Sequence, residues 1–325
     1  MPLDADTIVD RRRLRRKLTF WRVLAFVVII LAVLGAVFAA GSRRGLLGGA
    51  SGTIARLTVQ GIIRGDTDRV ESIERLGRSS AKAVIVHVDS PGGTTAGAEQ
   101  LYDSLRRLAE RKPMVVVVDG LAASGGYIAA MAADHIIAQD TSLVGSVGVL
   151  FQYPNFTDLL KTVGVKVEEI KSSPLKAAPN GFEPTSPEAR AAIEAIVMDS
   201  YAWFKGLVQN RRHLEGDQLD RVADGRVFTG RQAFGLKLVD ELGDEKAAVA
   251  WLAKTRGIDA NTPVRDWQMR SRFSDFSFLH PAAALFDLIG LGSVARSIEQ
   301  AGAVKAIEQL NLDGLLALWH PPATN

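Results

Sequence analysis

MVVVVDGLAASGGYIAA, residues 114–130, runs from a continuous β-branched stretch straight into a cluster of small residues. A run such as 114–118 is typical of a strand buried on both faces of a sheet. The small apolar residues 124–133 that follow read as a tightly packed helix. A serine, Ser124, stands at the junction and is followed by Gly125 and Gly126. Strand, serine turn, helix is the local order from which the rest of the chain can be laid out.

Working outward, AVIVHV (83–88) repeats the buried-strand pattern, and ARLTVQGII (55–63) alternates as a strand does. HIIAQ (135–139), SLVGSVGVL (142–150) and VKVEEIK (165–171) are further strand expectations. Helical spacing fills 67–79, 95–110 and 155–163. A Pro-rich loop at 172–187 precedes a long helix of about 25 residues from Ser186. This alternation predicts a parallel sheet with helices packed around it. Five segments result: a basic tail (1–20), an apolar segment (21–40), a Gly-rich linker (41–52), a main domain (53–256) and a C-terminal helical extension (257–325).

The bulk composition excludes several functions. At 325 residues, 47% hydrophobic and 23% charged, the chain is globular rather than disordered. It has no cysteine, so a thiol nucleophile, a disulfide and a thiolate metal site are excluded, and neither metal nor cofactor is expected. Six of the 39 basic and three of the 36 acidic residues lie in 1–17, so the remainder is electrically neutral and has no reason to seek nucleic acid. The basic tail abuts VLAFVVIILAVLGAVFAA, 23–40, which carries no charge. As a helix these residues span roughly 27 Å, close to the thickness of a bilayer's hydrocarbon core. The positive-inside rule then puts 1–20 in the cytoplasm and the body outside it, at a single-pass inner-membrane anchor. A cleavable signal peptide, with Val37 and Ala39 before the cut, is the alternative, and it exports the body equally.

Chemistry gathers where strands end. A serine at the turn after 114–118 would meet the outward-pointing N–H groups of the following helix, and the two glycines would let a substrate approach the backbone. That suits an acyl-transfer nucleophile, with the next residue's N–H helping to hold an oxyanion. Ser124 also fits a plain helix cap. HVDSPGG (87–93) ends a second buried strand, and its glycines can present another backbone N–H, or simply turn the chain. A base is harder to find. Of the five histidines, His87 lies inside a strand, His135 begins one, His213 ends a helix, and His280 and His320 precede prolines. A structural role suits each better, with His87 the least dismissible. A lysine serves when it is neutral, and desolvation favours the neutral amine. In KSSPLKAAP, Lys176 is flanked by Leu175, Ala177 and Ala178, although a solvated surface lysine would read the same way.

Taken together, DSPGG (89–93), AASGGYIAA (122–130), GSVGV (145–149), KSSPLK (171–176) and DGRVFTGRQAFGLKLVDELG (224–243) resemble the short single-domain form of signal peptide peptidase A, or protease IV. The resemblance covers about 54–256. It implies an α/β fold of the Clp protease/crotonase type, with a superhelical ββα repeat core preceded by one transmembrane helix. It implies Ser124 as nucleophile, Lys176 as general base, the N–H groups of Gly93 and Gly125 as oxyanion hole, and Ser146 as the residue that orients the lysine. Lys171 matches a lysine that is not the base. It also implies a membrane-anchored homo-oligomer, in which serine and lysine can come from neighbouring subunits, cutting remnant signal peptides and other extended peptides. The family's lysine stretch often carries an acid or small polar residue after the lysine, whereas this chain has Ala177. Three other readings share these features: a crotonase-type acyl-CoA enzyme, a membrane protease cutting a stomatin-like partner, and a membrane scaffold without proteolysis.

Overall fold

The computed structural model describes residue 21, residues 52–269 and residues 316–318. The expected tail, transmembrane helix and most of the linker lie outside the described residues, as does 270–315. Among the described residues no helix is long and apolar enough to cross a membrane.

Three long strands make the frame: β1 (Ile54–Ile63), β2 (Ala83–Thr94) and β3 (Met114–Ala123). They pair in parallel, β1 with β2 and β2 with β3. Parallel strands need covered crossovers, and these are supplied by α1 (Thr67–Arg78) and α2 (Thr95–Ala109). Asp66 caps α1 by accepting from the Arg69 N–H, and Thr94 caps α2 by accepting from Gly97. The first halves of β2 and β3 are buried on both faces. Ile54, Ile85, Val115, Val117 and Ile137 pack with Ala248 and Leu252 in one cluster, while Val84, Val86, Val88, Val116 and Val118, which alternate with them, are fully buried as well. This is why the runs read as continuously apolar rather than alternating.

Beyond the frame, β3 divides its outer edge. Val115–Val118 pair in parallel with β4 (His135–Ala138), and Leu121–Ala123 with β5 (Leu143–Gly145). Between β3 and β4 lies α3 (Gly125–Ala130). After β5 come α4 (Thr157–Thr162), α5 (Pro187–Arg212) and α6 (Gly216–Val222). Then follow β6 (Val227–Thr229), α7 (Gly230–Gly235), β7 (Glu241–Leu242) and α8 (Glu245–Arg256). Among the described residues the sheet has nine strands, completed by β8 (Val264–Asp266), parallel to β1, and β9 (Leu316–Leu318), antiparallel to β2. The protein is thus a mixed α/β sheet, and two short C-terminal strands sit on it.

Residues 165–171, expected as a strand from their alternation, form none. They belong to an exposed excursion, 151–185, that holds α4. No residue of α4 is buried, and Phe156, Leu159, Val163, Val165, Val167, Ile170, Leu175 and Phe182 are all exposed.

A polar network crosses the sheet at its α8 side. His87 on β2 meets the Asp119 carboxylate through Nδ1, at 2.9 Å, and Glu245 through Nε2, also at 2.9 Å. Arg56 grips Glu245 with two bonds of 2.6 and 2.7 Å and Asp266 with a third. Both ring nitrogens of His87 are thereby engaged in structure. The Arg56 guanidinium holds the Glu245 carboxyl below its ordinary value, against partial burial that pushes it up, and His87 adds to the depression. A depressed carboxyl stabilises the fold above its unfolded value and ceases to do so as pH falls through the folded one. Glu245→Gln is therefore expected to cost about 1–2 kcal/mol near neutrality. In thermal melts the gap between variant and wild type should close as pH drops below about 4.5, the ordinary carboxyl value. A gap independent of pH would remove the charge from this account.

Candidate active site

Ser124 sits where β3 ends and α3 begins, with φ 53° and ψ −116°. Few residues other than glycine adopt such angles, and holding one there costs about 1–3 kcal/mol. The surroundings enforce it. The Ser124 N–H donates to the Gly145 carbonyl at 2.8 Å, and the Ser124 carbonyl accepts from Tyr127 and Ile128. The residue is 1% exposed, and its hydroxyl makes no capping bond to the helix. The helix-cap alternative is thereby set aside: the side chain is held out of that role by its own backbone.

The far end of α3 is pinned too. Arg211 donates to the Met131 and Ala133 carbonyls, and Arg106 to Ala132. These cations meet the free carbonyls and negative pole that a helix presents at its C-terminus. The Tyr127 hydroxyl, buried in the same helix, donates to the Leu238 carbonyl at 2.8 Å, and burial pushes this phenol above its ordinary range. A six-residue helix of small residues would not hold its position alone. Here side chains from α2 and α5 and a carbonyl after α7 hold it.

The glycine loop of β2 lies against this turn. Ser90 pairs with Ala122 of β3, and a Cβ on Gly126 would fall 2.5 Å from the Ser90 carbonyl oxygen. Ser90 itself is buried. Its hydroxyl donates to the Gly61 carbonyl at 2.7 Å and accepts from the Gly92 N–H at 3.1 Å, which sets the loop that leads to Gly93. Nothing in the sequence singled out Ser90 beyond its place in DSPGG. Gly93 is opposite Ile63 of β1, so tightly that a Cβ would come within 1.7 Å of the Ile63 carbonyl oxygen.

On the other flank stands Ser146, buried and at φ 52°, with its N–H donating to the Arg226 carbonyl at 2.8 Å. It directly follows Gly145, the residue that receives the Ser124 N–H. Ser124, Gly125, Ser146 and the glycine loop thus converge at the C-terminal ends of β2, β3 and β5, where open parallel sheets gather their sites.

Lys176 does not join them within one chain. It lies on the exposed excursion, in a turn where its N–H donates to the Ser173 carbonyl at 3.1 Å. Among the described residues, no hydrogen bond links its side chain to Ser124 or Ser146. Lys171 is differently placed. Glu169, at 2.6 Å, and then Glu183 raise its affinity for a proton, which suits an ion pair and not a base.

The structure is an α/β protein with a buried serine at the strand-to-helix turn that ends β3. The model of peptidase family S49 matches residues 106–259. A Synechocystis protein described as a candidate protease is 36% identical over 208 residues, covering 63% of this chain and 75% of its own. The chloroplastic serine protease SPPA of Arabidopsis thaliana is 30% identical over 221 residues, 67% of this chain and 31% of its own. An Enterococcus faecium protein described as a candidate signal peptide peptidase, SppA, is 29% identical over 186 residues, 57% and 54% of the two chains. Among solved structures, a ClpP1 mutant from Listeria monocytogenes aligns with a TM-score of 0.40 at 14% identity, over 58% of this chain and 91% of that one. The chain belongs to peptidase family S49.

Proposed function

We propose that the protein is a membrane-anchored serine endopeptidase acting outside the cytoplasm by a Ser124–Lys176 dyad. The observation that carries this reading is the backbone of Ser124: a strained, buried serine whose hydroxyl is kept free of the helix it begins. Ser124 Oγ attacks the scissile carbonyl carbon while its proton passes to Lys176 Nζ. The oxyanion is held by the Gly93 and Gly125 N–H groups. The lysine returns the proton to the departing amine, and water then hydrolyses the acyl-enzyme with the lysine again as base. Ser146 orients the lysine.

The exposed position of Lys176 favours a site shared between subunits of a homo-oligomer. An excursion that leaves Val163 at 60% and Leu159 at 59% exposure is apolar surface that a neighbouring subunit would cover. In that arrangement the lysine of one chain reaches the serine of the next. Extended peptides, cleaved signal peptides among them, are the substrates, and the name of the Enterococcus faecium relative supports that class.

A serine-directed peptidyl phosphonate tests the chemistry. It should add one equivalent to wild type, with mass spectrometry placing the adduct on Ser124, and it should label Lys176→Ala at least 100-fold more slowly. Labelling of Lys176→Ala at the wild-type rate would move the base elsewhere.

A further inference from the structure

No residue of the excursion 151–185 is buried, so no packed core fixes its shape. Yet it carries Lys176, the base of the proposed reaction, and a misplacement of about 1 Å can cost roughly 10²-fold in rate. What holds the lysine loop is polar. Lys171 Nζ lies 2.6 Å from a Glu169 oxygen and 2.5 Å from a Glu183 oxygen. Asn180 ties the same two acids, its Nδ2 donating to Glu183 at 3.0 Å and to Glu169 at 3.3 Å. The Asn180 side-chain oxygen accepts from the Phe182 and Glu183 N–H groups, which turns the chain back on itself. The Gly181 carbonyl accepts from the Phe156 N–H at 2.8 Å and so joins the loop to the start of α4.

Lys171 stands five residues before Lys176, and Glu183 seven after it. Their ion pair closes a loop with Lys176 between its ends, and closing a loop cuts the conformations open to the residues within it. This is no ordinary surface pair. The Lys171 side chain is only 17% exposed, in a cleft walled by Val167, Pro174, Ala178, Pro179 and Phe182, and two carboxylates converge on it. The carboxylates favour the lysine's charged form, and the lysine holds the Glu183 carboxyl below its ordinary value, so the pair stays ionised through the neutral range. We propose that Lys171 is a positioning residue: gripped by Glu169 and Glu183, it closes the 171–183 loop and sets where Lys176 is presented to Ser124. The inference rests on the Ser124–Lys176 reading and deepens it, because it gives the first lysine of KSSPLK a role apart from proton transfer.

Lys171→Met keeps the length of the side chain and removes its charge, whereas Lys171→Arg keeps the charge and can still grip two carboxylates. In the full-length chain Lys171→Met should lower kcat for a fluorogenic apolar peptide at least about tenfold with KM unchanged, and Lys171→Arg should stay within about threefold of wild type. Melting temperatures of all three should coincide, since the excursion adds nothing to the core. A readout that needs no turnover is the rate at which trypsin cuts after Lys176, followed by mass spectrometry in the Ser124→Ala background. An opened loop is cut faster, by about tenfold for Lys171→Met and not at all for Lys171→Arg. If that difference is seen but no protein, wild type included, cleaves the fluorogenic peptide, the clamp stands and the peptidase reading fails. If wild type cleaves but Lys171→Met keeps its kcat, or its loop is cut no faster, the clamp is refuted and the peptidase reading survives.

Discussion

Ser124→Ala is expected to abolish peptide hydrolysis, by about 10⁴-fold or more, while leaving the protein folded and assembled. The hydroxyl supplies the only atom that bonds to substrate in the proposed reaction, and its loss cannot be shared among neighbours. Its removal should barely disturb structure, since the side chain caps nothing. Ser124→Gly gives the sharper comparison. At φ 53° and ψ −116° alanine keeps the strain that serine carries, whereas glycine relieves it. Glycine should therefore be equally inactive yet more stable than alanine by about 1 kcal/mol, read as a higher melting temperature. A stable, inactive Ser124→Gly is what a residue kept for reactivity, at some cost to the fold, would produce. Equal stability of the two variants would mean that the conformation is not strained.

The second large effect is expected at Gly93. A Cβ there would lie 1.7 Å from the Ile63 carbonyl oxygen and 2.7 Å from the Ile63 nitrogen, both backbone atoms of the adjoining strand. No rotamer change relieves such a contact, so β1 and β2 must separate where the proposed oxyanion donor sits. Gly93→Ala should lower kcat about 10²- to 10³-fold, the scale on which a misplaced oxyanion donor acts. It should also destabilise the domain by about 3 kcal/mol. Gly148→Ala is the control in the neighbouring GSVGV stretch: its Cβ would meet Gly225 Cα at 3.6 Å, an ordinary contact. Near-wild-type activity of Gly93→Ala would dissociate that N–H from catalysis.

Much of this was legible in the sequence, for physical reasons that differ by segment. The runs 83–88 and 114–118 are apolar at every position but His87 because both faces of these strand segments are buried, and continuous β-branched residues leave little alternative to a buried strand. Ser124 was legible because a strand ending in Ser-Gly-Gly before small residues allows a tight turn and close backbone packing. The extent of β2 was not. Pro91, Gly92 and Gly93 read as a turn, yet Gly92 and Gly93 pair with β1 and the strand runs on to Thr94. Residues 165–171 show the opposite failure. Their alternation describes a face, but no strand pairs with it, and periodicity names no partner. The His87 network joins residues 32 and 158 positions apart, and no local pattern announces it. Lys176 is the instructive case. Its apolar neighbours suggested a desolvated pocket, whereas in the single chain the loop is exposed. In the proposed reading, the apolar surroundings that a lysine base requires come from another subunit.

The most direct measurement is hydrolysis of a fluorogenic peptide, with a small apolar residue at the cut, by wild type, Ser124→Ala, Lys176→Ala and oligomers co-assembled from equal amounts of the two variants. A shared Ser–Lys site predicts two inactive parents and a mixture that recovers about one quarter of wild-type activity, since one adjacent pair in four unites an intact serine with an intact lysine. Activity in Lys176→Ala alone would contradict the dyad, and inactivity of the mixture despite verified co-assembly would contradict the shared site.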